Sequence, residues 1–405
     1  MNSSDALEEG ARFRSLIGNF LSNHASQHRL QSDLTNQVDR AAIPILAGSG
    51  MSAEEETQFV ARCRNFQRGL FDAGLGWITG PADLGGGAFP QEYESKLRTE
   101  LSGQGFPDDS LIRTGTQVIG PTLLRMGTDH IRQQHLPKIH RGDDLVCQLF
   151  SEPDAGSDLA NIKTVADEVA GGWKITGQKV WSSGSVHSDL GMCVARTERG
   201  SSRHAGLSVF LIDMSVPGVE VRKIRQMTGG AEFCEVFLTD VFVDLDHLIG
   251  EVGQGWKIVT DVLMNERSSI GGELLPAVEM LERLQNLYLN LSTSDAAIRD
   301  ALAKVVINYR VSQMLTSRLK SKYGENEAPG PELAMTKLSI TNVMMEMSSV
   351  ASMLLGAKLI ADNGEVGTYT WSEFVLGVPG IRIGGGTDEV LKNGIGERVL
   401  GLARQ

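Results

Sequence analysis

Residues 147–160 read Cys-Gln-Leu-Phe-Ser-Glu-Pro-Asp-Ala-Gly-Ser-Asp-Leu-Ala and form the most distinctive segment of the chain. Pro153 and Gly156 predict a turn. This turn carries small hydroxyl side chains and exposed backbone N–H groups. Such a turn can line a cofactor site. Judged on composition alone, an ordinary surface turn is the favoured interpretation and a cofactor site is the alternative.

This segment opens a region, residues 145–253, in which short stretches alternate apolar and polar residues. The alternation is clear at 173–176, 207–212 and 236–243, and Gly171-Gly172 has the composition of a hairpin turn. Several strands at short spacing predict a β-barrel or a sandwich.

The regions on either side have helical periodicity instead. Apolar residues recur at helical spacing in the first 144 residues, and long periodic stretches follow at 274–291, 296–323 and 332–361. The order therefore predicts three domains: an N-terminal α-helical domain (1–144), a middle β-barrel domain (145–253) and a C-terminal helical bundle domain (254–405).

The composition excludes some classes of partner. The formal charge of −12 over 405 residues gives no general attraction to nucleic acid or to an anionic membrane. The four cysteines are scattered without zinc-ligand spacing, which predicts reduced thiols and no metal site. We recognise no signal-peptide pattern and no membrane-length apolar run, so we expect a cytoplasmic protein.

The segment 147–160 resembles the signature of the acyl-CoA dehydrogenase family, and the resemblance covers nearly the whole chain. It implies the α+β acyl-CoA dehydrogenase fold, FAD as cofactor, an acyl-CoA substrate from lipid catabolism and an electron-transferring flavoprotein as electron acceptor. It also implies a homo- or hetero-oligomer, either a dimer or a tetramer. In this segment the implied flavin-binding residues are Gln148, Phe150, Ser151, Gly156 and Ser157. Ser157 is also expected to touch the pantetheine arm of CoA.

Two further segments are similar to marks of the same family. In the first, Trp181-Ser182-Ser183, the resemblance implies that all three residues, Trp181, Ser182 and Ser183, bind the flavin. Trp181 is expected to pack against the isoalloxazine, and Ser183 to donate a hydroxyl to its N5/O4 edge, which suits a flavin that gains charge there. A core tryptophan is the alternative. The second, residues 382–390, implies flavin contacts from Thr387, Asp388 and Glu389 and substrate contacts from Gly385 and Gly386. A plain helix cap at Thr387 is the alternative there.

The catalytic base is the least direct inference. The reaction that the family implies removes an α-proton while a hydride leaves the β-carbon, and it needs a shielded carboxylate. Many relatives carry a Glu directly before the Gly-Thr of the last segment, where this chain has Gly385. The other base position in the family, known from isovaleryl-CoA and long-chain dehydrogenases, precedes an Arg. It corresponds here to Glu266, with Arg267 expected at the substrate.

Helical periodicity independently supports Glu266 as the catalytic base. It lies near the middle of an apolar face formed by Val259, Val262, Leu263 and Ile270, with Asp261, Asn265 and Ser268 on the other side. Burying an unpaired carboxylate is costly, so a Glu on an apolar face suggests a function. The alternatives are a structural partner for Arg267, and Asp388 or Glu389 as the base.

The chain also departs from the family. Many relatives carry Arg-x-x-Phe-Gly and Gln-x-Phe-Gly-Gly motifs that grip FAD across a subunit interface, and residues 284–288 and 353–358 match neither. Some bacterial relatives that act on bulky acyl-CoAs, including steroid side chains, share this departure, and certain ones are α2β2 heterotetramers. Two other functions stay open: a flavin monooxygenase or oxidase on the same fold, and a catalytically silent subunit that completes a partner's site.

Overall fold

The computed structural model describes residues 3–28, 52–101, 106–107, 109–201, 203–272, 275–322, 330–361 and 371–403. These residues form two compact units. The first runs as far as Val262 apart from Arg225–Gly230, and the second contains Arg225–Gly230 and the chain from Leu263 onward. Each unit is described separately below.

Helices form the N-terminal part of the first unit. They are α1 (Ser3–His28), α2 (Ala53–Asp72), α3 (Glu92–Leu101), α4 (Ser110–Arg113), α5 (Gly120–Met126) and α6 (Asp129–Arg141), with a π-helical turn at Thr114–Ile119 between α4 and α5. Ser52 begins α2 with a capping box closed by Glu55. An aromatic core holds α1, α2 and α3 together, built around Phe13, Phe20, Phe66, Phe89 and Tyr93.

A single eight-stranded sheet follows in the same unit. Its strands are β1 (Val146–Leu149), β2 (Val165–Val169), β3 (Gly172–Ser183), β4 (Leu190–Arg196), β5 (Leu207–Asp213), β6 (Val219–Lys223), β7 (Phe233–Asp244) and β8 (Leu248–Ile249). They pair in the order β6-β7-β3-β2-β4-β5-β8, and β1 joins β4 in parallel. Among the described strands, β1, β6 and β8 each pair with one neighbour only.

The predicted hairpin lies where β2 meets β3. Gly171 has φ +81°, a left-handed backbone that glycine adopts without strain. Gly172 begins β3, and a Cβ added there would lie 2.2 Å from the carbonyl oxygen of Val243, so β3 and β7 approach too closely for a side chain. The two glycines therefore serve different purposes, one in the turn and one in the sheet.

The C-terminal helices are α7 (Gly255–Gly272), α8 (Leu275–Leu291), α9 (Ala296–Lys320), α10 (Ala334–Leu355), α11 (Ser372–Ile383) and α12 (Asp388–Arg398). The second unit has a continuous apolar core that includes Leu284, Val305, Met347 and Phe374. The predicted order of helices, sheet and helices is confirmed. The division at 144/145 and 253/254 stays a prediction, because the compact units separate within α7.

One stretch, Pro331–Leu359, is long and apolar enough to cross a membrane by length and composition. The expectation that no apolar run reaches membrane-spanning length is therefore wrong. Half of its most apolar window is buried inside the protein, and α10 contributes Ile340, Val343, Met347 and Val350 to the bundle core. Its apolar character is therefore explained by its central position in the second unit.

Candidate active site

A buried ion pair supports the signature turn, residues 151–158. Lys179 on β3 is fully buried, and its Nζ lies 2.8 Å from Glu152 Oε1 and 3.1 Å from the carbonyl oxygen of Phe150. The Glu152 carboxylate also accepts hydrogen bonds from the backbone N–H groups of Lys163, at 2.6 Å, and Thr164, at 3.0 Å. One carboxylate thus joins the turn to β3 and to the segment before β2.

The charge state of Glu152 follows from this surrounding. Burial pushes the pKa of Glu152 upward, but the Lys179 ammonium and the hydrogen bonds outweigh burial, so the pKa lies below its usual value of 4.5. The carboxylate is therefore ionised at neutral pH, and the ion pair is intact.

Backbone hydrogen bonds fix the shape of the turn. The N–H and C=O of Glu152 bond to the C=O and N–H of Ala155, at 3.1 and 3.0 Å, and the carbonyl oxygen of Ser151 accepts from Val180 N at 2.9 Å. Gly156 and Ser157 are exposed as a result, and a Cβ at Gly156 would meet nothing within 4 Å. The turn presents small residues and open space to a ligand.

Trp181 lies beside this turn in a strained β-bulge. The β3–β7 register shifts between Lys179 and Ser182, so that Val180 and Trp181 face a single residue of β7. Trp181 has φ +62°, which costs a non-glycine residue about 1–3 kcal/mol. Its side chain is 58% exposed, so the core-tryptophan alternative is wrong.

The predicted flavin-binding residues of this unit differ in exposure. Gln148 and Ser151 are half-buried, and the others form a buried group and an exposed group. Phe150 and Ser182 are buried, and the Ser182 hydroxyl donates to the carbonyl oxygen of Gln148 at 2.7 Å, so these residues join β1 to β3. The exposed residues are Gly156, Ser157, Trp181 and Ser183. An exposed indole ring together with exposed serine hydroxyls fits a planar, hydrogen-bonding ring system such as flavin.

The second unit holds the residues expected at the substrate. Gly385 and Gly386 have φ +69° and +104° in the loop between α11 and α12, where side chains would be strained. Thr387 begins α12, and its hydroxyl accepts from Val390 N at 3.3 Å. Thr387 therefore caps α12, which both interpretations of this segment expect. Its contact with a flavin stays a prediction.

Two cations hold the backbone of this loop. Lys337 on α10 is fully buried and donates to the carbonyl oxygens of Arg382, at 2.7 Å, and Gly386, at 2.8 Å. Arg267 donates from Nε to the carbonyl oxygen of Gly385 at 3.1 Å. The sequence predicted Arg267 only as a substrate contact, so its bond to this loop is a new finding. The sequence analysis missed Lys337, whose only signal is a charge within the apolar stretch of α10.

Burial also affects the protonation of these cations. It lowers the pKa of Lys337 to about 8, against the opposing influence of Asp388 and Glu266. Burial likewise lowers the pKa of Arg267, and Glu266 opposes that shift. Half-buried Glu266 is thus close enough to raise the pKa of both cations that hold the loop. Its role as the base stays a prediction.

The rival carboxylates have different surroundings. Asp388 is 4% exposed and pairs through Oδ2 with Arg382, while its buried Oδ1 has no hydrogen-bond partner. Glu389 is exposed on α12. Asp388 is therefore a structural ion pair with one acceptor left for a ligand donor, which is compatible with the predicted cofactor contact.

The predicted polar side of α7 is partly wrong. Asn265 is buried, at 8% exposure, although the helical wheel placed it opposite the apolar face. Asp261 accepts from Thr122 at 2.5 Å and Arg125 at 2.6 Å. A helical wheel assumes one covered face, and α7 is covered on more than one. The side chain of Ile270 lies outside the described residues.

Comparisons with known proteins agree with this architecture. The family model for the acyl-CoA dehydrogenase middle domain matches residues 147–241, and the model for the C-terminal domain matches residues 253–400. Acyl-CoA dehydrogenase IpdE1 of Mycobacterium tuberculosis is 34% identical over 89% of this chain and 93% of its own length. Acyl-CoA dehydrogenase FadE34 of the same organism is 35% identical over 84% of this chain, which spans only 46% of FadE34.

Solved structures share the fold at low identity. The Tcur3481-Tcur3483 steroid ACAD has a TM-score of 0.77 and 21% identity, with 98% of each chain covered. The ChsE4-ChsE5 complex from Mycobacterium tuberculosis gives 0.71 and 22%, also with 98% of each covered. PigA with FAD and proline gives 0.73 and 18%, with 99% of this chain and 98% of that chain covered.

The sheet, the helical bundle and the matched models together define the class. This chain belongs to the acyl-CoA dehydrogenase family, whose members are flavoprotein oxidoreductases.

The buried pair under the signature turn gives a first prediction. Glu152→Gln leaves the Lys179 charge buried and unpaired, so the free energy of unfolding at about pH 7 should fall by about 3–5 kcal/mol. The wild type should lose stability as the pH falls below 4.5, because the unfolded carboxylate then binds a proton before the folded one. Urea unfolding at several pH values measures both effects.

Asp154→Asn is the matched control, since it removes an exposed ion pair with Lys163 from the same turn. It should change stability little. Equal losses in the two variants would contradict the role of the buried pair.

The cations under the glycine loop give a second prediction. Lys337→Met removes the donor to two carbonyl oxygens, so amide hydrogen exchange in residues 384–387 should accelerate by about tenfold or more at pH 7. Lys304→Met, which removes an exposed lysine of α9, should leave that exchange unchanged. Unchanged exchange in Lys337→Met would show that the loop does not depend on this lysine.

Proposed function

We propose that this chain is an FAD-dependent acyl-CoA dehydrogenase that introduces an α,β double bond into an acyl-CoA thioester. The observation that carries the proposal is the hydrogen bond from Arg267 to the Gly385 carbonyl oxygen, which brings the Glu266-Arg267 pair to the loop where relatives carry their base. Glu266 occupies the alternative base position at a loop whose usual base is replaced by glycine.

Each proposed step uses a residue described above. Glu266 takes the α-proton onto its carboxylate, and the Gly385 N–H donates to the thioester oxygen, where charge develops as that proton leaves. Arg267 and Lys337 keep the peptide groups of the loop in a fixed orientation. Gly386 lets the backbone approach the thioester closely.

The exposed residues of the first unit fit the cofactor. Trp181 supplies an aromatic surface for a planar ring, Ser183 supplies a hydroxyl at the ring edge, and Ser157 serves both the cofactor and the pantetheine arm. Glu152 and Lys179 act indirectly, because they hold the turn that carries Ser157. FAD, when bound, accepts the hydride that leaves the β-carbon.

For the substrate we propose a bulky acyl-CoA, such as one derived from a steroid. The support is the similarity in fold to a protein described as a steroid ACAD.

For the assembly we propose an oligomer, a dimer or tetramer, in which a second chain completes the FAD site. The absent FAD-gripping motifs support this, as does the likeness to a chain of the ChsE4-ChsE5 complex. An electron-transferring flavoprotein as acceptor and a cytoplasmic location complete the proposal.

The base assignment gives a third prediction. Glu266→Gln should lower the rate of acyl-CoA desaturation by about 10²–10⁴-fold, because the amide cannot accept the α-proton. FAD content and thermal stability should stay near those of the wild type. The rate is measured as bleaching of the flavin absorption when substrate is added under anaerobic conditions.

Glu282→Gln, which changes an exposed carboxylate of the same unit, is the control and should desaturate normally. Normal desaturation by Glu266→Gln would contradict the assignment of Glu266 as the base. Substrate-dependent oxygen consumption that does not need Glu266 would instead favour the monooxygenase or oxidase.

The exposed residues that we propose to contact FAD give a fourth prediction. Trp181→Ala should weaken FAD binding by about tenfold through the lost stacking surface, with the fold retained because the side chain is exposed. Phe242→Ala, another exposed aromatic of the sheet, should bind FAD like the wild type. Dialysis against FAD followed by visible spectroscopy measures the binding.

The same spectra test the silent-subunit alternative. A wild-type chain that stays colourless even with excess FAD, and turns yellow only with a co-expressed neighbour, would favour that alternative. An equal effect of the two aromatic substitutions would contradict the role of Trp181.

A further inference from the structure

Three histidines from distant parts of the sequence meet in the first unit. His130 and His135 lie on α6, and His247 ends the short 3-10 turn Leu245–His247 that leads into β8. One ring nitrogen from each histidine lies within 4.8 Å of the corresponding nitrogens of the other two, although the sequence shows no metal-ligand spacing. The proposed flavin chemistry uses none of these residues.

The rings converge in a way that suits ligation. Their centroids are 5.5–6.3 Å apart and the ring planes meet at 61–71°, so no pair is stacked. Rings that meet edge to face can direct their nitrogens toward a common point. His135 and His247 are half-buried and His130 is exposed, which leaves an open side for water.

The surrounding structure holds two of these histidines in place. The Thr128 hydroxyl, which caps α6, also donates to the carbonyl oxygen of Asp246 at 3.3 Å and ties the 3-10 turn to the start of the helix. The Asp244 carboxylate accepts from Asp246 N at 3.3 Å and fixes the turn itself. His247 is thereby kept beside His130 by contacts that do not involve either ring.

A carboxylate supports the third histidine. Asp144 Oδ2 lies 3.4 Å from Nδ1 of His135. Metal-bound histidines commonly give one ring N–H to a carboxylate, which fixes the tautomer and leaves the other nitrogen for the metal. Here that arrangement leaves Nε2 of His135 as the ligand atom.

We propose that His130, His135 and His247 bind a divalent transition-metal ion, with Zn²⁺ as the best fit. Three imidazoles select zinc and its neighbours over calcium or magnesium, which prefer oxygen. Zinc–nitrogen bonds of about 2.0–2.1 Å put tetrahedral ligand atoms about 3.3 Å apart, so the ligand nitrogens must approach one another by at most about 1.5 Å. Exposed His130 can make that adjustment by changing its rotamer.

The geometry assigns this ion a structural role. It would fasten α6 to the turn before β8, which are otherwise joined here through Thr128. A fourth position stays open to water, as in sites with three protein ligands. Binding to the folded chain alone would raise the melting temperature, because such a ligand favours the native state.

The test uses the untagged full-length protein, stripped with chelator and titrated with Zn²⁺ by calorimetry. We expect one zinc ion per chain, with affinity reduced by at least about 100-fold in His135→Gln and by about 10–100-fold in Asp144→Asn. His204→Gln, an exposed histidine outside the cluster, should bind zinc like the wild type. Cobalt(II) titration should give the visible absorption of tetrahedral coordination in the wild type and not in His135→Gln.

A second variant distinguishes loss of the metal site from misfolding. His130→Gln changes an exposed ring, so it should keep the melting temperature of the metal-free wild type while losing the rise that zinc produces. The proposal is overturned if the wild type binds no zinc, or if His130→Gln and His204→Gln both bind zinc as the wild type does.

Discussion

The arrangement of the first unit depends on one buried ion pair. Lys179 and Glu152 are both shielded from water, and together they engage Phe150, Lys163 and Thr164. Each buried charge would be costly alone, and each is tolerated only because the other is present with a full set of hydrogen bonds. The turn that marks the family is therefore shaped from beneath, by residues that a ligand on its exposed side does not touch.

The second unit also contains a buried lysine that fixes nearby backbone, but this lysine has different partners. Lys337 has no carboxylate within hydrogen-bonding distance among the described contacts and is bonded to two backbone carbonyl oxygens instead. The loop it holds contains consecutive glycines, which are permissive and would otherwise sample many conformations. A buried cation on a rigid helix gives that glycine loop a single backbone arrangement. In both units a lysine placed in an apolar setting organises the main chain that the proposed chemistry needs.

The fold could be predicted from the sequence more completely than the site, for a physical reason. Period-two alternation and helical periodicity are local, so three of the eight strands, β3, β5 and β7, and the long helices α8, α9 and α10 were predicted closely. The roles of Lys179, Lys337 and the three histidines depend on contacts between residues far apart in the chain, which no local pattern records. Asn265 shows the converse limit, since a helical wheel cannot show that a helix is covered on several sides. The family resemblance supplied Trp181 and Glu266, and the structure adds the strained backbone of the first and the cationic surroundings of the second.

The left-handed backbone at Trp181 has a consequence for selection. Glycine at that position would relieve the strain of φ +62° and remove an exposed apolar surface, so it should make the isolated fold more robust while removing the ring surface. Laboratory evolution for heat resistance alone would therefore enrich chains that lack the proposed flavin-stacking surface at this site. Persistence of the tryptophan requires that turnover and stability be selected together.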